Sequence, residues 1–113
     1  MRETGKLDYL ELSAAGGALD SVKAFYSAAF GWSFTDYGPS YSAFDEGLEG
    51  GFQTEANARP LPIVYSDNLE ETLKSVVSAG GRIIRPIFSF PGGRRFHFAD
   101  PAGNELAVWS EAD

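Results

Sequence analysis

The side chains able to do acid–base or ligand chemistry are few. The chain has one histidine, His97, and no cysteine. An unperturbed imidazole is the one side chain that titrates near neutrality, so His97 is the candidate general base. Glu11 and Glu105 are its candidate partners. The alternative is a hydrogen-bonded or exposed strand histidine. Lacking cysteine, the chain has no disulfide, thiolate metal site or thiol nucleophile. Zn, Ni and Fe sites favour several imidazole or thiolate ligands, so a conventional metal centre is not expected. Glu11, Glu49 and Glu105 leave an unconventional one open. Arg94-Arg95 is suited to clamp a carboxylate bidentately, or to protect a hairpin edge by charge. No nucleophile elbow and no phosphate loop occurs. The pairs Gly16-Gly17 and Gly50-Gly51 read as turns or bulges.

Charge narrows the partners. Nine basic against sixteen acidic residues give −7 and a pI near 4.6. That balance disfavours nucleic acid and anionic membranes, which need a basic face. Residues 1–58 carry 3 basic and 9 acidic groups, and residues 59–113 carry 6 and 7. Arg82, Arg85, Arg94 and Arg95 lie in the second half, as an anion site or as solvated strand ends. No apolar run approaches the roughly 18 residues of a membrane span. The start lacks a signal-peptide layout, so the expectation is a soluble cytoplasmic protein. At 113 residues the chain is one domain.

Periodicity supplies the elements. Leu7–Leu12 alternates like a strand, with Leu10 and Leu12 on one face and Tyr9 and Glu11 on the other. Ala14–Gly17 is a loop. Leu19, Val22, Phe25, Tyr26, Ala29 and Phe30 recur at helical spacing over 18–30, and Gly31 fits a left-handed end. Strands are predicted at Trp32–Tyr37, Tyr41–Asp45 and Glu49–Thr54, with 55–59 as a linker. The order then repeats. Leu61–Ser66 is a strand. Asn68 caps a helix carrying Leu69, Leu73, Val76 and Val77, which ends at Gly80-Gly81. Arg82–Phe90, Arg94–Ala99 and Asn104–Ser110 are strands. The chain thus reads strand–helix–strand–strand–strand twice, as module one (1–58) and module two (59–113).

The run Lys23-Ala24-Phe25-Tyr26 … Phe30-Gly31-Trp32, the doubled βαβββ order and Phe96-His97-Phe98-Ala99-Asp100-Pro101-Ala102-Gly103-Asn104-Glu105-Leu106 together resemble the vicinal-oxygen-chelate superfamily. This group contains glyoxalase I, bleomycin-resistance proteins and extradiol dioxygenases. The resemblance covers essentially the whole chain. It implies an α+β fold of two βαβββ modules forming an incomplete barrel with helices outside, usually in a homodimer. Metal-dependent members hold a divalent ion with residues from the first and fourth strand of each module, commonly His and a carboxylate. Carried over, those positions fall on Tyr9, Leu61, Ala107 and the run 51–53. Leucine and alanine cannot ligate, and no carboxylate stands in 51–53. The expectation is a metal-free protein without cofactor.

Parity then selects cup residues. If Ala107 faces the cup, so do Glu105 and Trp109. Phe96 and Phe98 read as core, so Arg95 and His97 turn inward. Ile63 and Tyr65 share the inward face of their strand. The expected ligand set is Tyr9, Glu11, Gln53, Tyr65, Phe88, Phe90, Arg95, His97, Glu105 and Trp109, although the face of Phe88 and Phe90 is open at this point. Such an aromatic box with polar fixtures suits a planar or apolar organic ligand, and its acidic side chains suit a cationic or aromatic compound; alternatively its aromatics plug the barrel. Three functions follow: a small-molecule binder of bleomycin-resistance type; a glyoxalase-like lyase or isomerase, metal-free or with an unconventional metal site; and an accessory module with a filled cup.

Overall fold

The computed structural model describes residues 2–15, 17–54 and 59–111. The linker read at 55–59 falls almost wholly outside them, and so does Gly16. Eight strands and two helices follow one another as β1 Leu7–Ser13, α1 Leu19–Phe30, β2 Thr35–Asp36, β3 Tyr41–Asp45, β4 Glu49–Gln53, β5 Leu61–Tyr65, α2 Leu69–Ser78, β6 Arg82–Phe90, β7 Gly93–Ala99 and β8 Glu105–Glu111. The βαβββ order therefore occurs twice, as an α+β fold. The residues form two compact units: Tyr9–Leu61, and the residues up to Asp8 together with those from Pro62 onward.

The first unit orders its strands β2-β3-β4-β1. β2, β3 and β4 are antiparallel, and β4 runs parallel to β1 with Glu11 beside Gly51. A parallel partner requires a crossover, which α1 supplies. The core lies between α1 and the sheet. Ala14, Leu19, Phe44 and Phe52 are buried there, with Leu12, Val22, Tyr26, Trp32 and Phe34 packed against them. Gly31 ends α1 at φ 75°, in the left-handed region that favours glycine.

Three expectations in this unit need correction. The strand read at Trp32–Tyr37 shrinks to Thr35–Asp36. Trp32 turns back on α1 instead: its N–H donates to the Tyr26 carbonyl, its carbonyl accepts from Ser27 Oγ, and its ring stacks 4.8 Å from Tyr26. Phe25 and Phe30 sit outside the core stripe, 59% and 65% exposed, because Leu19, Val22 and Tyr26 already fill the sheet-facing side of α1. Gly50-Gly51 is neither turn nor bulge. The pair lies in regular β4, where a Cβ on Gly50 would strike the Leu10 carbonyl and the Phe44 ring, and one on Gly51 would strike Tyr41.

The second unit repeats the plan as β5-β8-β7-β6. β5 runs parallel to β8, and β8, β7 and β6 are antiparallel. The segment before β1 joins this unit: Gly5 N–H donates to the Tyr65 carbonyl, and Tyr65 N–H donates to that of Lys6. Asn68 caps α2 by accepting from the Glu71 N–H. Leu69, Phe96 and Val108 form the core, with Val64, Leu73, Val76, Ile83, Ile87 and Phe98 around them. Val77 is 52% exposed and leaves the expected stripe, since Leu73 and Val76 occupy the face of α2 that meets the sheet.

Candidate functional site

Alternation on β7 and β8 sends Phe96, Phe98 and Val108 toward α2, so the residues between them stand on the opposite, helix-free face of the second unit. There the register aligns Arg95 with Trp109 and His97 with Ala107, while β5 brings Tyr65 beside Trp109. The face is a connected row of rings. Tyr65 lies 5.5 Å from Trp109, Trp109 6.3 Å from Phe90, and Phe88 5.8 Å from His97. The guanidinium of Arg95 bridges the row, 5.4 Å from Phe88 and 5.7 Å from Phe90. Phe88 and Phe90 thus join this face. Seven anticipated residues meet here: Tyr65, Phe88, Phe90, Arg95, His97, Glu105 and Trp109.

His97 Nδ1 lies 3.0 Å from Glu105 Oε2. An ionised carboxylate only accepts, so the proton sits on Nδ1 and the Nε2 lone pair faces away. Nε2 is buried with no hydrogen-bond partner among the described residues. Burial holds the imidazole below its ordinary pKa, and the charges of Arg95 and Arg85 add to this, against the pull of Glu105. Tyr65 donates to Glu111 at 3.2 Å, and burial keeps its hydroxyl protonated to higher pH than usual.

Arg85, one of the four arginines read as an anion site or as solvated strand ends, stacks over Phe88 at 3.7 Å. Two further residues on this face, Asp8 and Arg2, were not anticipated. Trp109 Nε1 donates to Asp8, which also accepts from Arg2, and the Arg2 guanidinium covers the Trp109 ring at 4.8 Å. The Trp109–Asp8 contact spans 101 residues of chain, so no local pattern announces it. The Arg94-Arg95 clamp is also corrected. Consecutive strand residues point to opposite faces, and Arg94 instead grips Glu70 of α2 with its two terminal guanidinium nitrogens, at 2.6 and 3.2 Å.

Tyr9, Glu11 and Gln53 occupy the helix-free face of the first unit. Tyr41 reaches across β4 above Gly51, where no side chain intervenes, and hydrogen bonds to the Tyr9 hydroxyl. Burial raises the Tyr9 pKa, and the charges of Glu11 and Glu49 add to it against the Tyr41 bond. A cavity of about 430 Å³ opens on the other side of this sheet, against α1, lined by Leu12, Val22, Phe25, Tyr26, Phe52 and neighbours. None of the anticipated ligand residues lines it.

The positions that the resemblance assigns to metal ligands do not fit an ion. Leu61 and Ala107 are buried and have no donor atom, the run 51–53 has no carboxylate, and the Tyr9 hydroxyl is engaged with Tyr41. Among the described residues no group of three or more His, Asp or Glu side chains is placed to hold a metal.

Residues 6–108 match the family model of the Glyoxalase/Bleomycin resistance protein/Dioxygenase superfamily, and the chain belongs to that superfamily. Solved structures share its fold. An NAD-dependent benzaldehyde dehydrogenase from Legionella pneumophila aligns with TM-score 0.74 at 14% identity, over 92% of this chain and 98% of that one. Methylmalonyl-CoA epimerase from Mycobacterium tuberculosis gives 0.67 at 11%, over 100% and 92%. A Mn(II)-bound glyoxalase from Novosphingobium aromaticivorans gives 0.66 at 18%, over 100% of this chain and 43% of that one. At such identities the likeness is one of fold. No curated protein matches the sequence. No described helix is long and apolar enough to cross a membrane.

Proposed function

We propose that the protein binds a small planar organic molecule on the helix-free face of its second unit, without using a metal ion. The observation that carries this reading is the row of half-buried rings Phe88, Phe90 and Trp109, interleaved with Arg95 and Arg85. A sheet needs one apolar face for its own core, and here that face is already packed by α2. A second aromatic face with a few placed polar groups has the composition of a ligand surface. Tyr9, Glu11 and Gln53 stand apart from this row on the helix-free face of the first unit, where the same reading gives them ligand contact of their own. It carries with it a cytoplasmic homodimer, for which the exposed Phe25 and Phe30 offer apolar surface; sedimentation at micromolar concentration tests the dimer.

The binding test is a calorimetric panel of aromatic acids, aromatic amines and neutral heteroaromatics, run in the presence of EDTA. Saturable binding by at least one class is expected, weakened about tenfold or more by Phe88→Ala or Trp109→Ala, as for a central aromatic anchor. No binding up to millimolar concentration in any class, or binding indifferent to both substitutions, overturns the proposal.

A further inference from the structure

His97 is the sole histidine of the chain, and its surroundings leave one of its atoms unused. It stands on β7 between two core phenylalanines, with its side chain 10% exposed. Glu105 fixes the tautomer by accepting from Nδ1, and Nε2 presents a buried lone pair that no group among the described residues meets. A buried acceptor without a donor costs stability, so such groups are rare unless something else supplies the donor. A histidine serving only the fold has no need of this arrangement, because an apolar side chain of similar shape would avoid the cost.

The cover over His97 comes from an irregular stretch of the sheet edge. β6 is the outer strand, and its pairing with β7 slips twice, between Ile83 and Arg85 and between Arg85 and Phe88. Within the second slip sits Pro86, which has no N–H to donate. Bulges at a sheet edge re-aim side chains and weaken local pairing. Phe88, whose ring lies 5.8 Å from the imidazole, leaves this stretch bearing the Arg85 guanidinium on its face. With Arg95 beside the same ring, two cations lie close enough to the imidazole to disfavour its protonation.

We propose that His97 Nε2 accepts a hydrogen bond from an N–H or O–H donor on a planar anionic ligand, with Glu105 as the residue that positions the imidazole and Arg85 and Arg95 as the charges that attract the anion. The stretch 85–88 shifts to admit the ligand. This rests on the reading that the helix-free face binds a small organic molecule, and it names the chemical class. The anion answers the two guanidinium groups, the planar body answers Phe88, and the donor answers Nε2.

The test uses the intact protein with benzoate, phenol and the 3- and 4-hydroxybenzoates as probes, read by calorimetry and by the imidazole ¹⁵N shifts of the single histidine. At least one hydroxybenzoate is expected to bind about tenfold more tightly than benzoate, the difference made by one hydrogen bond to a buried acceptor. It should also bind more tightly than phenol, which lacks the anion, and should move the Nε2 resonance. His97→Phe should remove the preference over benzoate. Glu105→Leu should reduce it and mix the tautomers, and Glu105→Gln, whose amide oxygen accepts from Nδ1–H, should restore part of it. Equal binding of benzoate and both hydroxybenzoates to the unaltered protein, which needs no variant to fold, overturns the acceptor assignment and leaves the binding face standing. A preference that survives His97→Phe does the same. If no probe binds, the anionic class is wrong, and the wider panel of amines and heteroaromatics decides separately whether the face binds anything.

Discussion

Two adjacent glycines in one strand should respond very differently to the same added methyl group. Gly50 and Gly51 are consecutive in β4, so their missing side chains point to opposite faces. A Cβ at Gly50 would collide with the Leu10 carbonyl oxygen of the neighbouring strand, and with Phe44 Cζ and Cε1 at 2.5 and 2.6 Å. Phe44 is itself 7% exposed and cannot swing away without opening the core. A backbone carbonyl in a paired ladder has less freedom still. Relief at Gly50 therefore requires β1 and β4 to part, and Gly50→Ala should cost about 3 kcal/mol, the upper range for overpacking. At Gly51 the obstacle is the end of the Tyr41 side chain, with Cζ at 2.5 Å and Cε2 at 2.8 Å. Tyr41 can rotate, losing its bond to Tyr9, worth about 1 kcal/mol. Replacing glycine by alanine also restricts the unfolded chain and returns about 0.4–1 kcal/mol. Gly51→Ala should thus cost about 1 kcal/mol or less.

Urea unfolding measures the contrast. With a slope of about 2 kcal/mol/M, the two variants should differ in midpoint by about 1 M. A second background makes the reasoning sharper. In Tyr41→Ala the obstruction over Gly51 is gone, so adding Gly51→Ala should cost nothing or stabilise slightly. In Phe44→Ala, adding Gly50→Ala should still be costly, because the Leu10 carbonyl remains. Equal costs for the two single variants, or a Gly51→Ala cost undiminished by Tyr41→Ala, would refute the account of what places Tyr9.

Acid should weaken the fold below about pH 6.5 through His97. Its folded pKa is lowered by burial, so the unfolded chain binds the proton first as pH falls, and stability drops through that window; urea midpoints at pH 7.5 and 5.5 should differ less in His97→Phe, and an unchanged difference rejects the sign. Phe96→Ala should cost about 3–5 kcal/mol, because Phe96 is fully buried, whereas Val77→Ala should stay within about 0.5 kcal/mol, because Val77 is exposed. Asp100 accepts from the Ala102 and Asn104 N–H groups and from Asn104 Nδ2, which holds its carboxyl below the ordinary value. Amide protection in the β7–β8 turn should therefore persist above about pH 4 and fade as pH drops through the lowered value; Asp100→Ala should lose that protection at every pH.

The features read correctly from sequence are those set by neighbours along the chain. Asn68 caps α2 because its side chain and the Glu71 N–H are three residues apart, and Gly31 follows the last turn of α1 at positive φ. Strict alternation on β7 and β8 gives the faces of Phe96, His97 and Trp109. The face of Phe88 and Phe90 was not legible, because two slips in the β6–β7 register break the alternation that parity depends on. Trp32–Tyr37 looks like a strand by composition, yet the Trp32 backbone is drawn to the end of α1 by contacts that no period encodes. Arg94 and Arg95 look alike in sequence, and what separates them is Glu70, which lies 24 residues away from Arg94. The Asp8 and Arg2 contacts to Trp109 depend on the chain's two ends meeting within one unit.

Ala107 links the unsuited metal position to the histidine pair. It is fully buried and lies in register with His97 on one side and Ile63 on the other. A carboxylate at 107 would stand directly across the ladder from the imidazole, buried and in need of a cation. The acidic group on this strand is instead Glu105, two residues earlier on the same face and about half exposed, where water shares the burden of its charge. The methyl group of Ala107 leaves room for the imidazole to lie along the sheet and reach Glu105 diagonally, within the reach of diagonal cross-strand neighbours. A carboxylate at the margin of the face, not at its centre, thus serves to orient the imidazole by hydrogen bonding. Under the proposed binding, the half-buried rings of Phe88, Phe90 and Trp109 would be the surface beside which that one acceptor discriminates.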